Sequence, residues 1–255
     1  SSDLSELPFM EPLTLLSFIG SVTSRIRIGT TVIIVPYRHP VVQAKMLACM
    51  DVLTGGRMIF GVGVGWLRKE FETLDAPFAD RGPMTDEYIE MCQCLWRDKL
   101  PAFEGKFHRF DGITFEPKPI QQPIPIWVGG HSRPALRRTA KYGDGWQPVG
   151  ATSASPLHPP EFKQKLDELR AMTEAEGRSY DELTISFKAP SYDPGMVPEG
   201  DDRLLFTGTP ERVAEDLRAY KDLGVHEVIF DFRAPPVSQT IENMDQFMKE
   251  VVPLV

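Results

Sequence analysis

Two glycine-rich segments carry the residue types best suited to holding a ligand. Gly61–Trp66 follows an apolar stretch, and its three glycines would let the backbone approach a flat ligand closely. Gly129–Arg133 follows another apolar stretch and opens a helical pattern, so backbone N–H groups, a hydroxyl and a guanidinium could bind a phosphate. A dinucleotide-binding fingerprint would need glycine where Trp66 stands. Each segment could also be a ligand-free turn or an ordinary helix cap.

His39 is the one residue that we single out for proton transfer. It precedes Pro40 at the expected carboxyl end of a strand, which is where the active sites of (β/α)8 barrels lie. A lone histidine can equally be structural, and His108 and His226 are weaker candidates. The sequence has no nucleophile elbow, no zinc-protease motif and no metal-ligand spacing. We therefore predict no metal site, and a cofactor that carries the chemistry.

Composition excludes several classes of partner. The 255-residue chain has a formal net charge of −8, which disfavours binding to nucleic acid or to anionic lipid. No apolar run approaches the roughly 20 residues of a membrane span, and the first residues do not resemble a signal peptide. The three cysteines lack the spacing of a disulfide framework. We expect a cytoplasmic protein that acts on a small molecule.

Apolar stretches alternate with amphipathic ones along the chain, which predicts parallel βαβ units. We expect six strands, at Ile26–Ile34, Met58–Val62, Ile124–Val128, Gly145–Val149, Leu183–Lys188 and Glu227–Phe232. We expect seven helices, at Pro12–Thr23, Pro40–Leu53, Thr85–Arg97, Arg133–Tyr142, Pro160–Glu176, Pro210–Leu223 and Gln239–Val251.

This order predicts an α/β protein with the TIM (β/α)8 barrel fold, lacking its first β-α-β unit because a closed barrel needs eight strands. An open, doubly wound sheet is the alternative fold. We expect one domain over residues 1–255, with a hairpin-like insertion at residues 101–120 and a possible lid loop at residues 190–207.

Several motifs, taken together, resemble the luciferase-like monooxygenase family in order and spacing. The resemblance covers nearly the whole chain and is greatest to the F420-dependent branch. It rests on Arg27–Val32, Tyr37–Pro40, Asp51–Arg57, Gly61–Trp66, Phe103–Gly105, Pro117–Pro119, Ile126–Ser132, Gly143–Trp146 and Thr207–Pro210.

The resemblance implies a TIM barrel with its cofactor at the carboxyl face of the strands. It implies a cis peptide bond between Thr31 and Val32, behind the central ring of the cofactor, and cofactor contacts near Gly63 and Gly65. It also implies phosphate contacts from five consecutive residues, Gly129, Gly130, His131, Ser132 and Arg133. We further expect a homodimer.

The function that this resemblance implies is hydride transfer between coenzyme F420 and a small organic substrate. Arg38, Arg68 and Lys69 lie near expected strand ends, where they could meet the anionic tail of F420, although they could also be ordinary surface charges. The alternatives are an FMN-dependent luciferase-like monooxygenase and a non-catalytic cofactor-binding barrel. Trp66, Trp127 and Trp146 could line the pocket or belong to the core.

Overall fold

A computed structural model describes residues 10–152, 155–192 and 204–255. The chain divides into two compact units, Ser1–Trp127 and Val128–Val255. We describe each unit by itself, and the expectation of one domain over residues 1–255 stays a prediction. Most of the suggested lid loop, residues 193–203, lies outside the described residues.

The strands of the first unit pair in parallel, as predicted. β1 (Ile28–Gly29) and β2 (Ile33–Ile34) both pair with β3 (Met58–Gly63). The single strand predicted over Ile26–Ile34 is therefore two short strands separated by an irregular segment. The predicted cis bond between Thr31 and Val32 lies in that segment and is confirmed.

The helices of the first unit begin and end at residues that favour helix termini. They are α1 (Pro12–Val22), α2 (Pro40–Thr54), α3 (Arg68–Thr73) and α4 (Arg81–Arg97). Proline opens α1 and α2, where its missing N–H costs nothing, and Gly55 ends α2 with φ of +70°. β4 (Phe103–Glu104) and β5 (Arg109–Phe110) form the antiparallel hairpin predicted within the insertion.

The second unit continues the alternation of strands and helices. β6 (Ile126–Gly129) straddles the division between the units, and the remaining strands β7 (Gly145–Gln147), β8 (Thr184–Ser191) and β9 (Glu227–Asp231) pair in parallel. The helices are α5 (Arg133–Tyr142), α6 (Pro159–Ala175), α7 (Pro210–Asp222) and α8 (Val237–Gln246). The α/β class predicted from the sequence is confirmed.

The core of the second unit forms where its helices cover β7 and β8. Trp146 stacks on Phe162 with ring centroids 5.3 Å apart, and Phe187 and Tyr220 pack around Phe162. Because Ile185, Phe187 and Ala189 of β8 enter this core, the strand is anchored on its helix side. Among the described residues, no helix is long and apolar enough to cross a membrane.

Candidate functional site

The carboxyl end of β3 is fixed by contacts that only glycine permits. Ile34 pairs with Gly63 across the β2–β3 ladder. A Cβ atom on Gly63 would lie 2.4 Å from Cγ2 of Val32, so the Val32 side chain occupies the space that any other residue would need. Thr31 is exposed beside it, whereas Thr30 is buried and its Oγ1 donates to the Gly61 carbonyl at 2.8 Å.

The loop after β3 packs against neighbouring side chains and presents the Trp66 ring to solvent. Gly65 has φ of +78°, and a Cβ atom there would lie 2.7 Å from Phe71 and 2.8 Å from Ile34. Arg81 Nε donates to the Gly65 carbonyl at 3.2 Å. The next residue, Trp66, is 81% exposed, although a tryptophan that plays only a packing role is normally largely buried. This loop is therefore rigidly supported while its largest side chain faces outward.

The other two tryptophans considered as pocket residues are buried. Trp127 is 4% exposed and Trp146 is fully buried in the core of the second unit. Trp66 stays a candidate for contact with a ligand, whereas for Trp146 the structure favours the core, the other of the two roles that the sequence left open. The reason is the inward–outward alternation of β7, which turns Trp146 toward α6.

His39 lies at the start of α2 with its side chain exposed and its backbone extended. It occupies the N-cap position, but its side chain makes no capping hydrogen bond. Its ring instead contacts the ring of His108 edge-on, with centroids 5.0 Å apart and planes at 87°. His108 makes a similar contact with Tyr88 at 5.1 Å. The structure thus brings together two imidazoles that are 69 positions apart in the sequence.

Glu87 holds the hairpin segment that carries His108. Its carboxylate accepts hydrogen bonds from the backbone N–H of Phe107 at 3.0 Å and of His108 at 2.8 Å. A Cβ atom on Gly105 would lie 2.5 Å from the same carboxyl group. Burial, together with the Glu87 charge, raises the pKa of Tyr88 to about 12. Tyr88 is therefore protonated across the physiological range.

The second glycine-rich segment forms an open turn at the start of α5. Gly130 has φ of +85°, and a Cβ atom there would meet only Ala135, at 3.6 Å. Ser132 is the N-cap residue without a capping hydrogen bond from its side chain, and Arg133 is exposed with no ion pair among the described residues. The first backbone N–H groups of a helix have no intrahelical partner. This turn could therefore bind an anion such as phosphate.

Two side chains support the turn from within the second unit. Trp146 Nε1 donates to the Gly130 carbonyl at 2.8 Å. His131 lies near Ser155, with Nε2 and Oγ 3.5 Å apart. Burial and then the Lys165 charge lower the pKa of His131, against an opposing effect of Glu161. The His131 imidazole is therefore neutral near pH 7 and could donate or accept one hydrogen bond.

Two of the three cations expected to meet an anionic tail already have acidic partners. Arg38 pairs with Glu11 at 2.6 Å, and Lys69 lies 3.9 Å from Glu72. Arg68 instead stacks on the ring of Phe78, with its guanidinium carbon 4.4 Å from the ring centroid. Of the three, Arg68 is the best placed to interact with a ligand. Among the described residues, no cluster of three His, Cys, Asp or Glu side chains could hold a metal.

Sequence reasoning missed the partnership of His39 with His108 and the role of Glu87. The predicted hairpin was correct, but no local pattern indicates which helix it packs against. The one available signal was the group of backbone donors at the hairpin turn, which needs a carboxylate or a similar acceptor.

Comparison with known proteins identifies relatives over most of the chain. A model of the luciferase-like monooxygenase family matches residues 2–192. An uncharacterized protein of Mycobacterium tuberculosis is 31% identical over 253 residues, covering 96% of this chain and 78% of the relative. An FMNH(2)-dependent dimethylsulfone monooxygenase of Pseudomonas putida is 30% identical over 296 residues, with the same coverage of both chains.

Solved structures with low sequence identity share the fold. The monooxygenase RslO1 of Streptomyces bottropensis has a TM-score of 0.81 and 21% identity, covering 95% of this chain and 82% of its own. The F420-dependent tetrahydromethanopterin reductase of Methanopyrus kandleri has a TM-score of 0.77 and 18% identity, with coverage of 96% and 87%. These matches confirm the predicted TIM-barrel class over the doubly wound alternative.

Proposed function

Because the chain belongs to the luciferase-like monooxygenase family, we propose that it is an F420-dependent oxidoreductase. Bound F420 would supply a hydride to a small organic substrate or accept one from it. The protein's part would be to bind and orient the ring, shield it from water and handle a proton.

The observation that carries the proposal is the supported surface at the carboxyl ends of β2 and β3. Val32 packs directly over Gly63, and the backbone at Gly65 is fixed by Phe71, Ile34 and Arg81. A flat ring would meet backbone and an aliphatic side chain there, with little to reorganise on binding. We propose that Thr31, Val32, Gly63 and Gly65 contact the ring.

The open turn before α5 fits a phosphate group. Its backbone is already in the conformation that needs glycine. An imidazole, a hydroxyl and a guanidinium that forms no ion pair with a described residue lie on the consecutive residues His131, Ser132 and Arg133. We propose that Gly129, Gly130, His131, Ser132 and Arg133 bind the phosphate of the cofactor. F420 and FMN both carry a phosphate, so this turn does not distinguish the two.

His39 is our proposed proton-handling residue in this reaction. Its imidazole is exposed at the start of α2 and is not used to cap that helix, so it is available to a substrate. Histidine suits the task because its ordinary pKa lies near neutral pH.

One observation favours a second candidate function. The relative from Pseudomonas putida that is 30% identical is named as an FMNH(2)-dependent monooxygenase. If the same cofactor serves here, the chain would oxygenate its substrate with reduced FMN and oxygen. The structural neighbour from Methanopyrus kandleri is named for F420, and its likeness extends to the fold alone.

Turnover assays would test the proposal directly. The chain would be incubated anaerobically with reduced F420 and a panel of enones and nitro compounds, and separately with oxidised F420 and a panel of alcohols. We expect a change in F420 absorbance that depends on the protein and on one substrate class. Turnover only with reduced FMN and oxygen would favour the second candidate, and tight cofactor binding without any turnover would favour a non-catalytic barrel.

Assembly and location are part of the proposal. We propose a homodimer, because α1 exposes Leu15, Phe18 and Val22 to solvent, and large exposed apolar side chains often mark a protein interface. Sedimentation equilibrium would test this. We also propose a cytoplasmic protein, since Cys49, Cys92 and Cys94 are free thiols.

A further inference from the structure

We propose that His39 and His108 act as one acid–base pair that holds a single proton, with His39 the exposed member and His108 the neutral, shielded member. The use of this pair in catalysis rests on the proposed function, but its existence does not. The pair lies wholly within the first unit.

The geometry of the rings places the two imidazoles in direct contact. His39 and His108 meet edge to face, with centroids 5.0 Å apart and planes at 87°. Tyr88 covers a further part of His108, with centroids 5.1 Å apart and planes at 79°. The His39 side chain is exposed, whereas that of His108 is 26% exposed, so water screens one imidazole better than the other.

The carboxylate of Glu87, beside His108, is already engaged. Glu87 Oε1 lies 3.9 Å from Nδ1 of His108, beyond hydrogen-bond distance. Both Glu87 oxygens accept backbone N–H groups, from Phe107 and from His108 itself. Nδ1 of His108 is buried and has no hydrogen-bond partner within the described part of the chain. A charged imidazolium would need a partner at that atom, so this arrangement favours the neutral form.

The net effect of burial and nearby charges on His108 also favours the neutral form. Burial and then the positive charge on His39 lower the pKa of His108, and Glu87 opposes them. Tyr88 is neutral, and the ammonium of Lys106 is paired with Asp80 at 3.0 Å. Two imidazolium ions at this separation repel each other, so the second proton binds less readily than the first.

The two rings therefore have different roles in proton transfer. Of the two rings, the exposed His39 is the one that can present the shared proton to a substrate, while His108 is shielded. Without a positive charge on His39, the repulsion that lowers the pKa of His108 disappears. Replacing His108 should therefore alter how activity depends on pH, and not only the maximal rate.

The test is a nuclear magnetic resonance titration of the histidine rings in the full chain, without cofactor or substrate. We expect His108 to titrate below the ordinary histidine value in the wild type. In His39→Gln, the pKa of His108 should rise by roughly half a pH unit or more. His39→Gln should fold, because the His39 side chain makes no capping hydrogen bond to α2.

Two further variants keep the result interpretable. Lys106→Met removes a positive charge from the same hairpin, and because that charge is paired, we expect no shift of the His108 pKa. His108→Phe keeps a ring against His39 and Tyr88 but cannot titrate, so it should change the pH profile of turnover while the chain stays folded. An unchanged His108 pKa in His39→Gln would overturn the pair. Failure of F420 to bind would overturn the proposed function and leave this titration intact.

Discussion

Both glycine-rich segments follow an apolar strand, yet their glycines serve different physical purposes. At the end of β3, Gly63 and Gly65 are enclosed, since added Cβ atoms would lie 2.4 Å from Val32 and 2.7 Å from Phe71. At the turn before α5, Gly130 needs its positive φ but faces open space on all but one side. The first segment is required by the packing of the protein itself, and the second leaves room for a ligand.

This difference shows what a glycine motif can and cannot reveal. A strand followed by glycines indicates that another group lies close to the backbone. At the end of β3 that group is a side chain of the protein itself, Val32 beside Gly63 and Phe71 beside Gly65. The open turn leaves room for a ligand beside Gly130 itself, while the enclosed glycines fix the shape of the surface that we propose for the ring. Substitutions of the enclosed glycines should therefore mainly reduce stability, and substitutions at the open turn should mainly weaken ligand binding.

The largest expected effect is at Trp146, which supports the open turn from the core. Trp146→Ala should reduce the free energy of unfolding by about 3–5 kcal/mol, because it removes a fully buried ring that stacks on Phe162. Trp66→Ala is the matched control at an exposed site, and it should change stability by less than about 0.5 kcal/mol. Chemical denaturation would measure both, and equal effects would refute this assignment of core and surface.

The next largest effect separates enclosed from open glycines. Gly65→Ala should lower the free energy of unfolding by about 2–4 kcal/mol, since the new methyl group would collide with Phe71 and Ile34 in a strained backbone. Gly130→Ala should lower the free energy of unfolding by only about 1 kcal/mol, because alanine would adopt the positive φ unfavourably but would meet no steric clash. The same unfolding experiment tests the pair, and a greater loss at Gly130 would reverse the comparison.

A smaller effect is expected on ligand binding at the turn. Arg133→Gln should weaken binding of a phosphate-bearing cofactor by about tenfold, the usual worth of one charged hydrogen bond, with little change in stability. Arg137→Gln removes an exposed cation from the next turn of α5 and should leave affinity nearly unchanged. Isothermal titration would compare the two variants. Equal losses would mean that only the general positive charge of α5 matters.

The smallest expected effect is a loss of stability in acid. The pKa values of His108 and His131 are both lowered from 6.5 in the folded protein, chiefly by burial. The unfolded chain therefore binds more protons, so the stabilisation is complete above about pH 6.5 and declines as the pH falls below it. In His131→Gln, the decline between neutral pH and pH 5 should be shallower than in the wild type. An identical slope would contradict the shift at His131.

The sequence predicted those elements whose ends are marked by local chemistry. The bounds of α5 were correct, because an N-cap serine and a proline mark its start and a glycine follows its end. α4 begins four residues earlier than predicted, since Pro83 is accommodated in its first turn. α3 was not predicted, because six residues with one buried side chain, Phe71, give no helical periodicity.

The candidate site was predictable in part. The glycine segments, His39 and the cis bond at Thr31 were reached from motifs in the sequence. The contact of His39 with His108 depends on how Glu87 binds a hairpin some 20 positions away, and no local pattern encodes such a distant pairing. The position of Trp146 in the core could not be predicted either, because a short strand buried on both faces has no alternation that shows which face each side chain occupies.

We propose that the protein uses F420 in preference to FMN, and competitive binding of the two cofactors tests this most directly. Each would be titrated into the full chain at two salt concentrations, with tryptophan fluorescence as the readout, since Trp66 is exposed beside the proposed ring surface. We predict a lower Kd for F420, and binding that weakens as salt is added because the ligand is anionic. Tighter binding of FMN, or F420 binding that is indifferent to salt, would contradict the claim.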